Sequence, residues 1–279
     1  MEQSKNRQVW FVTGASKGLG LSLVNKLLER GHLVAATSRS SGNFPQSITK
    51  SPDFLGLTTD LSSRESIFSS VTKTIEKFGK IDVLVNNAGY GIGGSLDEVS
   101  EQEIKEAFDI NLFATINTIA AVLPEMRAKK SGHIINISSI AGFNPGIGWA
   151  TYAAVKAAVI GLTEAMAQDV AEFGIKATVV APGAFRTEFL TGSSLVLSQT
   201  KFPEYTAIRQ SHAKMETLDG QQQGDPEKAV EAIMEIPAME NAPIHLFLGS
   251  DAYRRAALKI GQLTAELDAH KTITLSTDY

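Results

Sequence analysis

The chain has 279 residues, of which 43% are hydrophobic and 20% charged, and it carries a net charge of −4. Length and composition suit one large α/β domain or two small ones. The charge gives no electrostatic footprint for nucleic acid, and the lack of cysteine excludes disulfides, thiol catalysis and cysteine-bound metals.

Residues 1–7 are polar. Residues 8–13 form a short apolar run, read as a buried strand. The turn Gly14-Ala15-Ser16-Lys17-Gly18-Leu19-Gly20 follows, and apolar positions at Leu21, Val24, Leu27 and Leu28 then predict a helix. Strand, glycine turn and helix together suit a pyrophosphate: glycines let the backbone come close, and the helix N-terminus favours negative charge. The spacing is G-x-x-x-G-x-G, not the commoner G-x-G-x-x-G. The early strand leaves no room for a signal peptide, and no apolar run reaches membrane-spanning length. A cytoplasmic protein with no membrane partner is therefore expected.

A second strand is predicted over 32–37, ending in Ser38-Arg39-Ser40 with no carboxylate. An acidic residue there would accept from the ribose 2′-hydroxyl of NAD, whereas a basic one suits the 2′-phosphate of NADP. Lys17 adds a second cation on the same side, so charge favours NADP(H) over NAD(H). Residues 40–52 read as a loop and 54–59 as a third strand. Asp60 reads equally as an acceptor for an adenine amino group and as a turn or capping aspartate. Ser62 or Ser63 caps a helix running to about Phe78. A fourth strand over 81–85 enters Asn86-Asn87-Ala88-Gly89 and a glycine-rich loop to Gly94, small enough for a cofactor to lie against the backbone. One long helix is predicted from about 101 to 129, with Asn111 inside it.

The fifth strand, 133–137, ends at Ser138-Ser139. An alanine-rich helix carries Tyr152 and Lys156, four apart and so on one face. A cation beside tyrosine favours the phenolate and is expected to lower its pKa, and a serine hydroxyl can hold a carbonyl oxygen. The set suits protonation of a carbonyl during reduction, or deprotonation of an alcohol during oxidation. Alone, a Tyr-x-x-x-Lys pair reads first as an ordinary helix-surface pair, and the rest of the chain decides. A sixth strand, 175–180, ends in Ala181-Pro182-Gly183-Ala184-Phe185-Arg186-Thr187. Residues 188–224 lack a long period and read as a substrate lid. Asp225-Pro226 starts another helix, 244–248 is a seventh strand, and residues 250–279 form a helical C-terminal extension. The five histidines show no ligand spacing, so no metal site is expected.

Strands and helices alternate, which implies an α/β fold: one doubly wound, parallel, seven-stranded Rossmann-type sheet in a single domain over 1–279. Residues 14–20, Arg39, Asp60, residues 86–89, Ser139 and residues 182–187 each follow a strand. They therefore share one edge of the sheet, where ligands bind in such folds.

In these motifs, with Asn111, Tyr152 and Lys156 in order, the chain resembles the classical short-chain dehydrogenase/reductase family across about residues 6–250, and its NADP(H)-preferring branch through Lys17 and Arg39. The resemblance implies an oxidoreductase moving a hydride between NADP(H) and a carbonyl or secondary alcohol. Tyr152 would be the acid or base, Ser139 would orient the substrate oxygen, and Lys156 would bind the nicotinamide ribose. Asn111 would hold a water that extends a proton relay. Ser139 rather than Ser138 stands thirteen residues before Tyr152, at the family spacing. Cofactor contacts are implied at Gly14, Ser16, Lys17, Gly18, Leu19 and Gly20, at Ser38 and Arg39, and at Asp60 and Leu61. Others are implied at Asn87, Ala88 and Gly89, at Tyr152 and Lys156, and at Pro182, Gly183 and Thr187.

Phe143, Trp149, Phe185 and Phe189 are candidate walls for an apolar or aromatic ketone or aldehyde. Arg186 and Arg209 are the only arginines in reach for an acidic substrate. The family further implies a homodimer or homotetramer packed through the helices near 101–129 and 152–173. A non-catalytic NADP(H)-sensing protein, or epimerisation or dehydration on the same scaffold, are the competing readings.

Overall fold

A computed structural model describes residues 7–190 and 194–279. The elements run β1 (Val9–Val12), α1 (Gly18–Glu29), β2 (Leu33–Ser38), α2 (Gln46–Thr49), β3 (Phe54–Thr58), α3 (Arg64–Phe78) and β4 (Val83–Asn86). They continue with β5 (Gly91–Gly93), α4 (Glu101–Phe108), α5 (Ala114–Lys129), β6 (Gly132–Ile137), α6 (Ile140–Phe143), α7 (Ala150–Val170) and β7 (Ile175–Pro182). The last are β8 (Leu195–Leu197), α8 (Thr206–Glu216), α9 (Pro226–Glu235), β9 (His245–Leu248), α10 (Ser250–Ala269) and α11 (Lys271–Leu275).

The main sheet has the order β3-β2-β1-β4-β6-β7-β9, and every pairing is parallel. The chain winds outward from β1 to β3, then returns to β4 beside β1 and winds the other way. That reversal opens a crevice beyond the carboxyl ends of β1 and β4. Side chains alternate across each strand. Trp10, Val12, Val34 and Ala36 face α1 and α9, where they meet Leu23, Leu27, Val230 and Ile233. Phe11, Ala35, Leu84 and Ile134 face α3, α5 and α7, where they meet Val71, Val122, Met126 and Met166. Both faces are covered, which is why the strands read as continuous apolar runs.

The seven strands, the Ser63 cap of α3 and the Asp225 cap of α9 match the sequence reading. The expected loop 40–52 contains the helical turn α2 and the lid contains the helix α8, and three further features differ. Residues 101–129 are not one regular helix: a π-helical turn, Asp109–Phe113, separates α4 from α5 and contains Asn111. By length and composition that stretch is also apolar enough to cross a membrane, contrary to the reading that no run is. Here it is a core helix of the domain, burying Ile119, Val122 and Met126 against the sheet. Finally, the glycine-rich loop and the lid each contain a strand, because β5 pairs in parallel with β8 as a second, two-stranded sheet.

Ile233 is fully buried where α9 meets α1 and the sheet. Ile233→Ala should lower the unfolding free energy by about 2–5 kcal/mol in chemical denaturation.

Candidate active site

The crevice is a cavity of about 1060 Å³. At its floor, the glycine turn is joined to the loop after β4. The Asn87 amide donates to the carbonyls of Thr13 and Gly14, both at 3.0 Å, and the backbone N–H groups of Asn87 and Ala88 donate to the Thr13 hydroxyl at 3.0 and 3.1 Å. Gly14 stands at φ +63°, and a Cβ there would lie 2.7 Å from the Ala88 Cα. Only glycine fits that position.

Every residue expected to touch the cofactor lines this one cavity. Gly14, Ser16, Lys17, Gly18, Leu19 and Gly20 form its inner end; Ser38, Arg39, Asp60 and Leu61 lie beyond the ends of β2 and β3. Asn87, Ala88 and Gly89 form one side, and Pro182, Gly183 and Thr187 the other. A dinucleotide fits this cradle: it has glycine backbone at the start of α1 and cations at the β2 end. Asp60 accepts from the Ser62 N–H at 2.9 Å and its hydroxyl at 2.7 Å, which hold its carboxyl below the usual range. It thus serves a turn while still bordering the cavity.

Tyr152 and Lys156 sit on the buried face of α7, 8% and 4% exposed. The Lys156 ammonium donates to the Ile137 carbonyl at 3.2 Å and lies 5.9 Å from the Tyr152 ring centroid. The Ser139 hydroxyl is a hydrogen-bonding partner of the Tyr152 phenol and accepts from the Ala141 N–H at 3.1 Å, capping α6. Ser138 is turned to structural use, because its hydroxyl donates to the Lys156 carbonyl at 2.8 Å.

Asn111 is buried beneath Gly89. Its amide donates to the Ala107 carbonyl at 2.9 Å, its side-chain oxygen accepts from the Tyr90 N–H at 3.2 Å, and its carbonyl accepts from Thr115. A Cβ on Gly89 would come within 2.5 Å of the Asn111 Oδ1 and 3.1 Å of the Lys156 Nζ, so these three residues converge.

The electrostatics differ from the expectation. Burial pushes the Tyr152 phenol up to about 12, outweighing the Ser139 hydrogen bond, and pushes the Lys156 ammonium down to about 8. Desolvation outweighs the cation that was expected to lower the phenol's pKa. The aromatic surround accounts for this: Trp149 packs edge-on at 6.5 Å and Phe189 at 6.1 Å from the Tyr152 ring.

Of the four candidate substrate walls, Trp149, Phe185 and Phe189 line the cavity. Phe143 does not. It stands on α6, which turns away, and packs against Phe247 at 5.2 Å in a cluster under α10. The lid, 188–224 in the sequence reading, contributes Leu190, Val196, Met215 and Leu218; its residues 191–193 lie outside the described residues.

Residues 202–212 are anchored to the rest of the domain by residues that the sequence reading did not single out for this role. Glu98, whose side chain is fully buried, accepts from the backbone N–H groups of Ser95 at 3.0 Å and Phe202 at 2.7 Å, and pairs with Arg209 of α8. Burial alone would raise the Glu98 carboxyl; those donors bring it down to about 2. His212 bonds the Gly148 carbonyl at 3.1 Å and packs edge-on to Trp149. Arg209 is thus engaged, and Arg186 donates to the Gln222 carbonyl at 3.2 Å. Gln222 itself is buried in the cavity wall, and among the described residues its side-chain amide has no hydrogen-bond partner.

A family model described as short chain dehydrogenase matches residues 8–195. The 3-ketodihydrosphingosine reductase of Bacteroides thetaiotaomicron is 35% identical over 243 residues, covering 87% of this chain and 88% of that protein. A crystal structure of a short-chain dehydrogenase from Streptomyces avermitilis superposes with a TM-score of 0.91 at 33% identity, covering 98% of this chain and all of that one. ElxO with NADP bound superposes with a TM-score of 0.72 at 27% identity, covering 87% and 97%.

Arg209→Met strands the buried Glu98 carboxylate and frees α8. In steady-state kinetics it should raise KM for the organic substrate about tenfold or more while cofactor affinity stays within about twofold, because the described lid residues Phe189, Leu195, Leu197 and Met215 pack about Trp149 and Tyr152.

Proposed function

The chain belongs to the short-chain dehydrogenase family, an oxidoreductase family, and we propose that this member is an NADP(H)-dependent reductase of apolar or aromatic ketones and aldehydes. One observation carries the reading: a single cavity has Ser139, Tyr152 and Lys156 at an aromatic end and Lys17 and Arg39 at the other. When bound, the nicotinamide supplies the hydride. Ser139 holds the substrate oxygen by a hydrogen bond, and Tyr152 gives that oxygen its proton as carbonyl becomes alcohol. The high pKa keeps Tyr152 protonated through the neutral range, the form that can give a proton to the substrate oxygen. Lys156 would hold the nicotinamide ribose hydroxyls and stabilise negative charge developing on the phenol. Asn111, Gly89 and Lys156 lie together where a proton could be resupplied from below.

NADP(H) is favoured over NAD(H) because β2 ends in Ser38 and the exposed Arg39, with no carboxylate to meet a 2′-hydroxyl. The substrate reading rests on Trp149, Phe189 and Met215 packed about Tyr152 and on Phe185 and Leu190 elsewhere on the cavity wall, with Arg186 and Arg209 engaged within the protein. The relative's name, a 3-keto reductase, agrees with a ketone.

Tyr152→Phe should lower kcat for ketone reduction by about 10²–10⁴-fold and leave NADPH binding by fluorescence titration within about twofold. Undiminished turnover would remove Tyr152 from the reaction. Wild-type kcat/KM should favour NADPH over NADH, and Arg39→Asp should cut that ratio by about 10–100-fold.

Lys156 is charged below about pH 8 and neutral above it. The value of kcat/KM for NADPH, which reports the free enzyme, should therefore fall as pH rises through about 8. Lys156→Arg, whose guanidinium keeps its charge, should move that descent above pH 10.

A further inference from the structure

The helix α10 rests on the domain only through its first half. Ala252 and Ala256 are buried there against Ile140, Phe143 and Phe247. Beyond residue 260 every side chain to the end of the chain is exposed. The apolar face nevertheless continues: Ile260, Leu263 and Leu267 are 53%, 46% and 64% exposed. From residue 260 on they keep the three-four spacing 260, 263, 267, which continues the line of Tyr253 and of Ala256, the latter already covered by the domain and so outside the free surface. That is the seam of a coiled coil, and a helix with such a seam left in water is marginal.

The charges beside the seam indicate what covers it. One flank carries Lys259 and Glu266, each just before a seam residue and seven apart. Among the described residues neither side chain makes an ion pair. The other flank carries Ala257 and Thr264, which are uncharged. In a parallel helix pair the first flank of one helix faces the second flank of the other, so both charges would lie against neutral residues. In an antiparallel pair the charged flanks face each other. Lys259 then meets the partner's Glu266, and the partner's Lys259 meets Glu266, across a twofold axis. The helix also has Arg254, Arg255 and Lys259 with Asp251 in its first half, a net charge of +2, and Glu266 and Asp268 in its second, a net charge of −2, so antiparallel pairing sets unlike halves together.

We infer that the exposed second half of α10 is a self-association surface, on which two copies of this chain pair antiparallel about an axis at the level of Gln262 and Leu263. The surface is separate from the long helices that the family resemblance pointed to, and it is independent of the chemistry proposed above.

The chain has no cysteine, so single-cysteine variants of the full chain test the geometry directly. Under mild oxidation Leu263→Cys, nearest the axis, should form a covalent dimer. Tyr253→Cys, at one end of the seam, and Leu258→Cys, on the opposite face, should not. Sedimentation equilibrium of Leu263→Lys should give half the wild-type mass, with an unchanged circular dichroism spectrum showing that the domain is folded. Cross-linking of Tyr253→Cys as efficient as that of Leu263→Cys would mean parallel pairing and overturn the inference. Absence of a Leu263→Cys dimer together with an unchanged Leu263→Lys mass would overturn it too. Flotation of a monomeric wild-type chain with phosphatidylcholine–phosphatidylglycerol vesicles, lost in Leu263→Lys, would make the face a lipid contact instead.

Discussion

The arrangement depends on taking Tyr152 and Lys156 out of water. An ammonium 4% exposed is costly to bury, and the fold compensates it only in part, through the Ile137 carbonyl. What surrounds the pair follows from that constraint. Ser138 ties the Lys156 backbone to the end of β6. Gly89 keeps clear the space between the ammonium and Asn111, and the π turn brings Asn111 beneath it. Trp149 and Phe189 close on the phenol. The same burial moves both pKa values toward the neutral forms, so protonation at this site is governed by desolvation.

The cavity divides into two ends of different construction. The cofactor end is built on backbone: a glycine turn at the start of α1 and the loop after β4, locked together through Thr13 and Asn87. The end around Tyr152 is built on side chains, from Trp149 and from residues 188–224, the latter positioned by strand pairing of β8 with β5 and by the buried Glu98–Arg209 pair. A rigid cofactor end with a separately anchored substrate wall allows specificity to change without disturbing the cradle.

Much of this was legible in the sequence. The inner strands of the main sheet could be read because they are buried on both faces and so form nearly unbroken apolar runs, and the half-buried edge strands β3 and β9 because they are short apolar runs between turn residues. The edge residues could be read because parallel topology sends the end of every strand to one side. Other features left no local signal. The strands β5 and β8 have three residues each, and their pairing joins residues about a hundred apart. The π turn lies inside a helical stretch whose apolar positions continue through it. Glu98 and Arg209, 111 residues apart, look like surface charges until the lid folds over them. Phe143 sits four residues after Ser139, yet α6 carries it to the far side of the wall. The pKa of Tyr152 went the other way from the charge argument because burial depth, which decides it, is not written in local sequence.

If the cavity works as proposed, it transfers hydride to a carbonyl carbon. NADPH deuterated at the transferable C4 position can be supplied with an aryl ketone, and both molecules followed by NMR. One deuterium is expected on the carbinol carbon of the alcohol for each NADP⁺ formed. NADPH bound at measurable affinity with no deuterium transferred to any member of a broad ketone and aldehyde panel, or product formed without net cofactor oxidation, would contradict the proposed hydride transfer.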